Sequence, residues 1–202
     1  MSRNLLFDVK PRVGDYIKFG NFPQNKAAIE EPIEWLVLEI IGNNFLLISR
    51  YGLDYCEYHN RWSSITWERC DLREWLNRDF LNKAFSEDEQ QRIKLSRLVN
   101  DDNPKYRTSG GNNTLDRVFC LSVAEAKRYF KNNAERRCQP TEYAHRCHCL
   151  DEHCGCCRWW LRSPVGNERY GMFVAYSGYI WYDALIDIDL AVRPALWVNV
   201  ES

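Results

Sequence analysis

The chain opens with the two-residue alternation of apolar and polar side chains that a sheet with one buried face requires. Asp15 to Phe19 alternates, and Trp35 to Ile41 and Phe45 to Ser49 are β-rich runs on either side of Gly42-Asn43-Asn44. Two such runs joined by a short Gly/Asn turn predict a hairpin. From Asp71 the period changes. Leu72, Trp75, Leu76 and Phe80 fall on one helical face behind an aspartate suited to an N-cap, which predicts a helix to about Asn82. Ser86-Glu87-Asp88-Glu89 and Ser122-Val123-Ala124-Glu125 have capping-box spacing, in which each side chain satisfies the other residue's free amide. A short helix is expected after each.

Between those two signals, Asn100 to Thr114 is rich in Asn, Asp, Gly and Ser and contains Pro104, so it reads as a long loop. Pro140 to Ala144 is expected to open a further helix, because proline is tolerated in a first turn. After Trp159 the strand pattern returns in Met172 to Tyr176, Tyr179 to Tyr182, Leu185 to Leu190 and Ala195 to Val200. Strands, then helices, then strands predict an α+β fold with both termini near one antiparallel sheet. No repeat or composition shift divides the chain, so residues 1–202 are expected to form a single domain.

Charge narrows the choice of partner. The 27 basic and 28 acidic residues are mixed along the chain, leaving a net charge of -1 and no electrostatic footprint for nucleic acid or for a membrane surface. Specific proteins or small-molecule ligands remain as partners. Met1 to Asp8 lacks the apolar region of a signal peptide, and no run approaches the ~20 apolar residues of a membrane helix, so a cytoplasmic location is expected.

Nine cysteines are an odd number for a disulfide framework, and reduced thiols are expected. Cys56, Cys70 and Cys120 lie in apolar surroundings and read as core residues. The other six fall between Cys138 and Cys157, where His145-Arg146-Cys147-His148-Cys149 precedes His153-Cys154-Gly155-Cys156-Cys157. Cys147, Cys149, Cys154 and either Cys156 or Cys157 supply four soft donors for a structural zinc ion, with His145, His148 and His153 as substitutes. Free or oxidised thiols and a disulfide are the other readings of the same residues. Catalytic signals are poor: these histidines resemble metal ligands more than partners in a Cys-His dyad, and Gly110-Gly111 lacks the continuation of a phosphate loop.

Several ordered segments resemble those of a bacterial domain family of unassigned function. They include Glu31-Pro32-Ile33-Glu34-Trp35, Leu72-Arg73-Glu74-Trp75-Leu76-Asn77, Trp159-Trp160-Leu161-Arg162-Ser163-Pro164 and Val192-Arg193-Pro194-Ala195-Leu196-Trp197-Val198. The resemblance implies a C-type-lectin-like fold, similar in shape to formylglycine-generating enzymes and to the variable proteins of diversity-generating retroelements. The former use a carboxy-terminal cysteine pair, which Val165 to Ser202 lacks, and that departure weakens an enzymatic carry-over from the fold. The latter bind ligand through a carboxy-terminal segment held between structural motifs.

The segment matching that position runs from Val165 to Ala191. Its candidate ligand-binding residues are Tyr170, Phe173, Tyr176, Tyr179, Trp181, Tyr182, Asp183, Asp187 and Asp189. Tyr and Trp give large, rigid contact area with a polar end, as at binding hot spots. Strand alternation puts Tyr179 and Trp181 on one face and Tyr182 on the other, so some of these rings are expected in the core, and ordinary sheet packing is the competing reading. Asp183, Asp187 and Asp189, or the Asn100 to Asn103 loop, offer oxygen ligands for calcium, although such loops are commonly just solvated. Trp159 to Pro164 and Arg193 read as architecture, with Glu34 a candidate partner for Arg193. The leading expectation is a non-enzymatic binding module. A metal- or thiol-dependent enzyme and a structural assembly component are the alternatives.

Overall fold

The computed structural model describes residues 10–61, 65–105, 107–147, 155–165 and 169–201. The alternating amino-terminal segment forms β1 (Tyr16–Pro23), and the expected hairpin is β2 (Glu30–Ile41) and β3 (Asn44–Ser49), with Ile41 opposite Asn44 across the turn. Next come β4 (Asp54–Cys56), β5 (Ser96–Leu98), β6 (Thr114–Asp116) and β7 (Val118–Phe119). The carboxy-terminal strands are β8 (Trp159–Trp160), β9 (Tyr170–Val174), β10 (Ile180–Leu185), β11 (Leu190–Val192) and β12 (Ala195–Asn199).

These strands make two five-stranded sheets, ordered β1-β2-β3-β12-β7 and β10-β9-β8-β11-β4, and a small β5-β6 pair. Every pairing is antiparallel except β11 with β8. The fold is therefore α+β with mostly antiparallel sheets and a few short helices. Two neighbouring crossovers tie the large sheets together: residues 50–53 lead from β3 to β4, and Arg193-Pro194 lead from β11 to β12. They are bonded side by side, Ser49 N–H to the Pro194 carbonyl and Leu53 N–H to the Val192 carbonyl, each at 2.9 Å.

The helical stretch predicted from Asp71 runs on to Ala84 as α1 (Asp71–Trp75), a π-helical turn (Leu76–Phe80) and α2 (Leu81–Ala84), burying Leu72, Leu76 and Phe80. Both capping boxes form. Ser86 starts α3 (Glu87–Arg92), and Ser122 starts α4 (Val123–Tyr129), followed by α5 (Asn133–Arg136). The helix expected from Pro140 is instead a single 3-10 turn, Ala144–Cys147. Pro140 is held extended in a bridge with Gly52, and the Thr141 hydroxyl accepts the Ala144 amide, so the turn starts only beyond them. The strand expected over Leu185 to Leu190 is broken by a turn in which Ile188 N–H reaches the Leu185 carbonyl. None of the helices among the described residues is long and apolar enough to cross a membrane.

The core between the sheets is aromatic. Trp35, Trp67, Trp159 and Trp160 are fully buried. A buried indole needs an acceptor for its N–H, and each has one: the carbonyls of Phe19, Arg136 and Cys56 for Trp35, Trp159 and Trp160, and the Asp116 carboxylate for Trp67. The structural reading of Trp159-Trp160 thus agrees with their surroundings. Cys70 and Cys120 are buried as expected, and burial pushes both thiols up, Cys70 to about 12. Cys56 is only half-buried.

Candidate functional site

A cleft of about 940 Å³ opens between the Val99–Lys105 loop, the start of α4 and β10. That volume suits a drug-sized ligand or a short peptide segment. Asn-rich chemistry shapes the loop wall: Asn103 Nδ2 donates to the Pro164 carbonyl at 2.8 Å, Asn100 Nδ2 donates to the Asn112 carbonyl at 2.9 Å, and Asp102 accepts the Gly110 amide at 2.9 Å. Side chains thereby supply the partners that sheet neighbours would give a strand. Ser122, Val123, Ser163, Pro164 and Met172 form the floor.

The floor is braced by Arg162, whose guanidinium pairs with Glu125 (Nη2 to Oε1, 2.8 Å) and donates to the Cys120 carbonyl. Burial works to raise the Glu125 carboxyl, but its hydrogen bonds and charge pairing with Arg162 outweigh that, and it is held below the usual carboxylate range. Arg162 Nε is buried without a partner.

The opposite wall is β10, an edge strand of its sheet. Tyr179, Trp181 and Tyr182 line the cleft and are 53%, 41% and 37% exposed. Trp181 stacks on Tyr182 with ring centroids 5.4 Å apart, Tyr179 lies 5.6 Å from Trp181, and the Lys105 ammonium from the loop wall sits 4.9 Å above the Tyr182 ring. The expectation that alternation would separate Tyr182 from the other two is corrected here. Pairing with β9 shifts register between Trp181 and Ala184, and this irregularity puts successive residues on one side. At the head of the hairpin, Gly178 has φ +81°, and a Cβ there would stand 1.7 Å from the Asn133 carbonyl oxygen. Only glycine lets the β9-β10 turn press this closely on α5. Arg136 completes the junction, donating through Nε to the Gly178 carbonyl at 2.9 Å and through Nη1 to Phe130 at 3.0 Å.

The remaining sequence candidates separate from this face. Phe173 is 4% exposed and belongs to the core, so its reading as a surface contact is corrected: it lies on the inner strand β9, opposite Trp160 and Trp181, and packs into the hydrophobic core. Tyr170 and Tyr176 are half-buried and do not line the cleft, and Arg158 lies over the Tyr176 ring. Asp183 is exposed next to Tyr182, whereas Asp187 and Asp189 stand in the turn before β11. Among the described residues, no group of three or more His, Cys, Asp or Glu side chains is arranged to hold a metal. Of the proposed zinc ligands, Cys149, Cys154 and the side chain of Cys147 fall outside the described residues. Cys156 and Cys157 are buried, and Cys157 faces Cys138. The sequence marked Ser122, Val123, Ser163 and Pro164 of the floor only as architecture, and did not single out the α4-α5 contributors Lys127 and Arg136.

The model of the family described as Domain of unknown function (DUF6273) matches residues 42–200, well over half of the chain. No curated protein and no solved structure matches it.

Proposed function

The chain belongs to the DUF6273 family, and we propose that it acts as a non-enzymatic binding module whose cleft receives a segment of a partner protein or a small ligand against Tyr179, Trp181 and Tyr182. One observation carries this reading: a contiguous group of exposed rings lines a walled cleft, whereas Trp35, Trp67, Trp159 and Trp160 of the same chain are fully buried with each indole N–H bonded. The Trp181 N–H and the Tyr179 hydroxyl have no protein partner among the described residues. Rigid rings of this kind with a free polar end supply contact area at small entropic cost.

We read the finer architecture as C-type-lectin-like, similar to the variable proteins of diversity-generating retroelements. The exposed β10 segment lies between the buried motifs at Trp159 and Val192, and that arrangement supports the comparison. A displayed library of random peptides, selected against the immobilised chain, tests the function. Enriched peptides should lose about tenfold or more in affinity for the Trp181→Ala variant. Absence of enrichment, or an affinity unchanged from that of the unaltered chain in both Trp181→Ala and a Tyr179→Ala/Tyr182→Ala variant, would remove the cleft from consideration.

A further inference from the structure

At the crossover between the two large sheets, away from the cleft, Arg193 is 4% exposed and carries a charge with no carboxylate partner among the described residues. Glu34, the partner anticipated from the sequence, pairs instead with Arg50 at 2.7 Å. Arg193 donates through Nε to the Ser49 carbonyl at 2.9 Å, its guanidinium lies 5.2 Å from the Phe130 ring and 5.1 Å from the Trp159 ring, and Nη1 is buried with no hydrogen-bond partner. A buried cation left in that state is costly unless an anion stands near it. The ionisable groups on which its charge acts are the thiols of Cys138 and Cys157.

Those two cysteines are held together by backbone as well as side chain. The Cys157 amide donates to the Cys138 carbonyl at 2.7 Å, and the Cys157 thiol reaches the same oxygen at 3.3 Å. A direct backbone bond sets the two residues side by side, and a disulfide bridges Cα atoms roughly 4.4 to 6.8 Å apart. Gly52 leaves the room: a Cβ there would stand 3.2 Å from Cys157 Sγ. The pair is 2% and 0% exposed, which shields it from bulky thiols and disulfides but admits a small oxidant when the structure opens locally.

We propose that Cys138 and Cys157 form an oxidative modification site, a dithiol that closes to an intramolecular disulfide on reaction with a hydroperoxide. Cys138, on losing its proton, attacks one peroxide oxygen. The O–O bond breaks, hydroxide leaves and takes up a proton as water, and Cys138 becomes a sulfenic acid. The Cys157 thiol then attacks that sulfur, the S–O bond breaks, and a second water leaves with the Cys157 proton. In balance, two thiols and one hydrogen peroxide give one disulfide and two waters. The bond closes a loop of about 20 residues and ties the segment leading to β8 onto the sheet crossover.

The test uses the full chain, reduced, freed of reductant and treated with hydrogen peroxide. Free thiols are then alkylated, and the unreduced digest is mapped by mass spectrometry. A linked peptide containing Cys138 and Cys157 is expected, with a rise in Tm of about 5 to 10 °C that added dithiol reverses. In Cys157→Ser the rise should vanish, and Cys138 should accumulate as a sulfenic acid trapped by dimedone. Should that variant fail to fold, the map of the unaltered chain decides alone. Cys138 and Cys157 both remaining alkylatable while other cysteines oxidise, or either one bonding chiefly to Cys147, Cys149, Cys154 or Cys156, would overturn the proposal.

Discussion

Trp159 and Trp160 on one side, and Tyr179 and Trp181 on the other, belong to the same sheet and are separated by about twenty residues of chain, yet they meet opposite fates. The first pair lies on an inner strand, wholly buried, with each indole N–H bonded to a carbonyl. The second pair lies on and next to the edge strand, exposed, with ring contacts to its own neighbours and polar ends open to solvent or ligand. Residue type therefore does not decide whether an aromatic holds the fold or offers a surface. Strand position and the partner of the polar atom do. A β9-β10 hairpin anchored at Gly178 and Arg136 keeps the exposed rings in place without burying them.

Removing one ring from each region breaks the comparison most sharply. Trp160→Ala should cost about 3 to 5 kcal/mol, because it opens a large cavity and orphans the Cys56 carbonyl, and urea unfolding would show it as a lower midpoint. A smaller effect is expected from Glu125→Gln beneath the cleft. Replacing this half-buried partner of Arg162 should cost about 1 to 2 kcal/mol near neutrality, after allowance for solvent screening. The pH dependence carries the sign. Glu125 titrates below its ordinary value of 4.5, so its stabilising effect is complete above that pH and is lost as pH falls through the lowered value. Thermal melts of the natural chain should therefore fall more steeply below pH 4.5 than those of Glu125→Gln. The smallest effect belongs to Trp181→Ala, which should change stability by no more than about 0.5 kcal/mol in the same urea titration. A loss comparable to that of Trp160→Ala would make the β10 rings part of the core and leave no binding face.

Much of the scaffold was legible because it follows local rules. The β2-β3 turn, the helical face of Leu72 to Phe80 and the two capping boxes are written in consecutive residues, and they form where expected. What the pattern could not carry was long-range. Phe173 was grouped with the surface rings because nothing local reveals that β9 has a neighbour on each side. The shift in register that brings Tyr182 beside Trp181 depends on pairing with β9, which alternation within β10 alone does not encode. The loop wall was recognisable from its Asn and Gly content, but not its position facing β10. For Arg193, chemistry suggested a carboxylate such as Glu34, and the fold instead gave that carboxylate to Arg50 and placed two thiols by the arginine.

The most direct measurement is a backbone amide NMR titration of the full chain with a peptide enriched by the selection described above. Binding at the cleft predicts shifts concentrated in residues 99–105, 122–127 and 179–182, with little change at Trp159 and Trp160. Shifts clustered at β4 or along β1 and β2, with the β10 amides unmoved, would contradict the account.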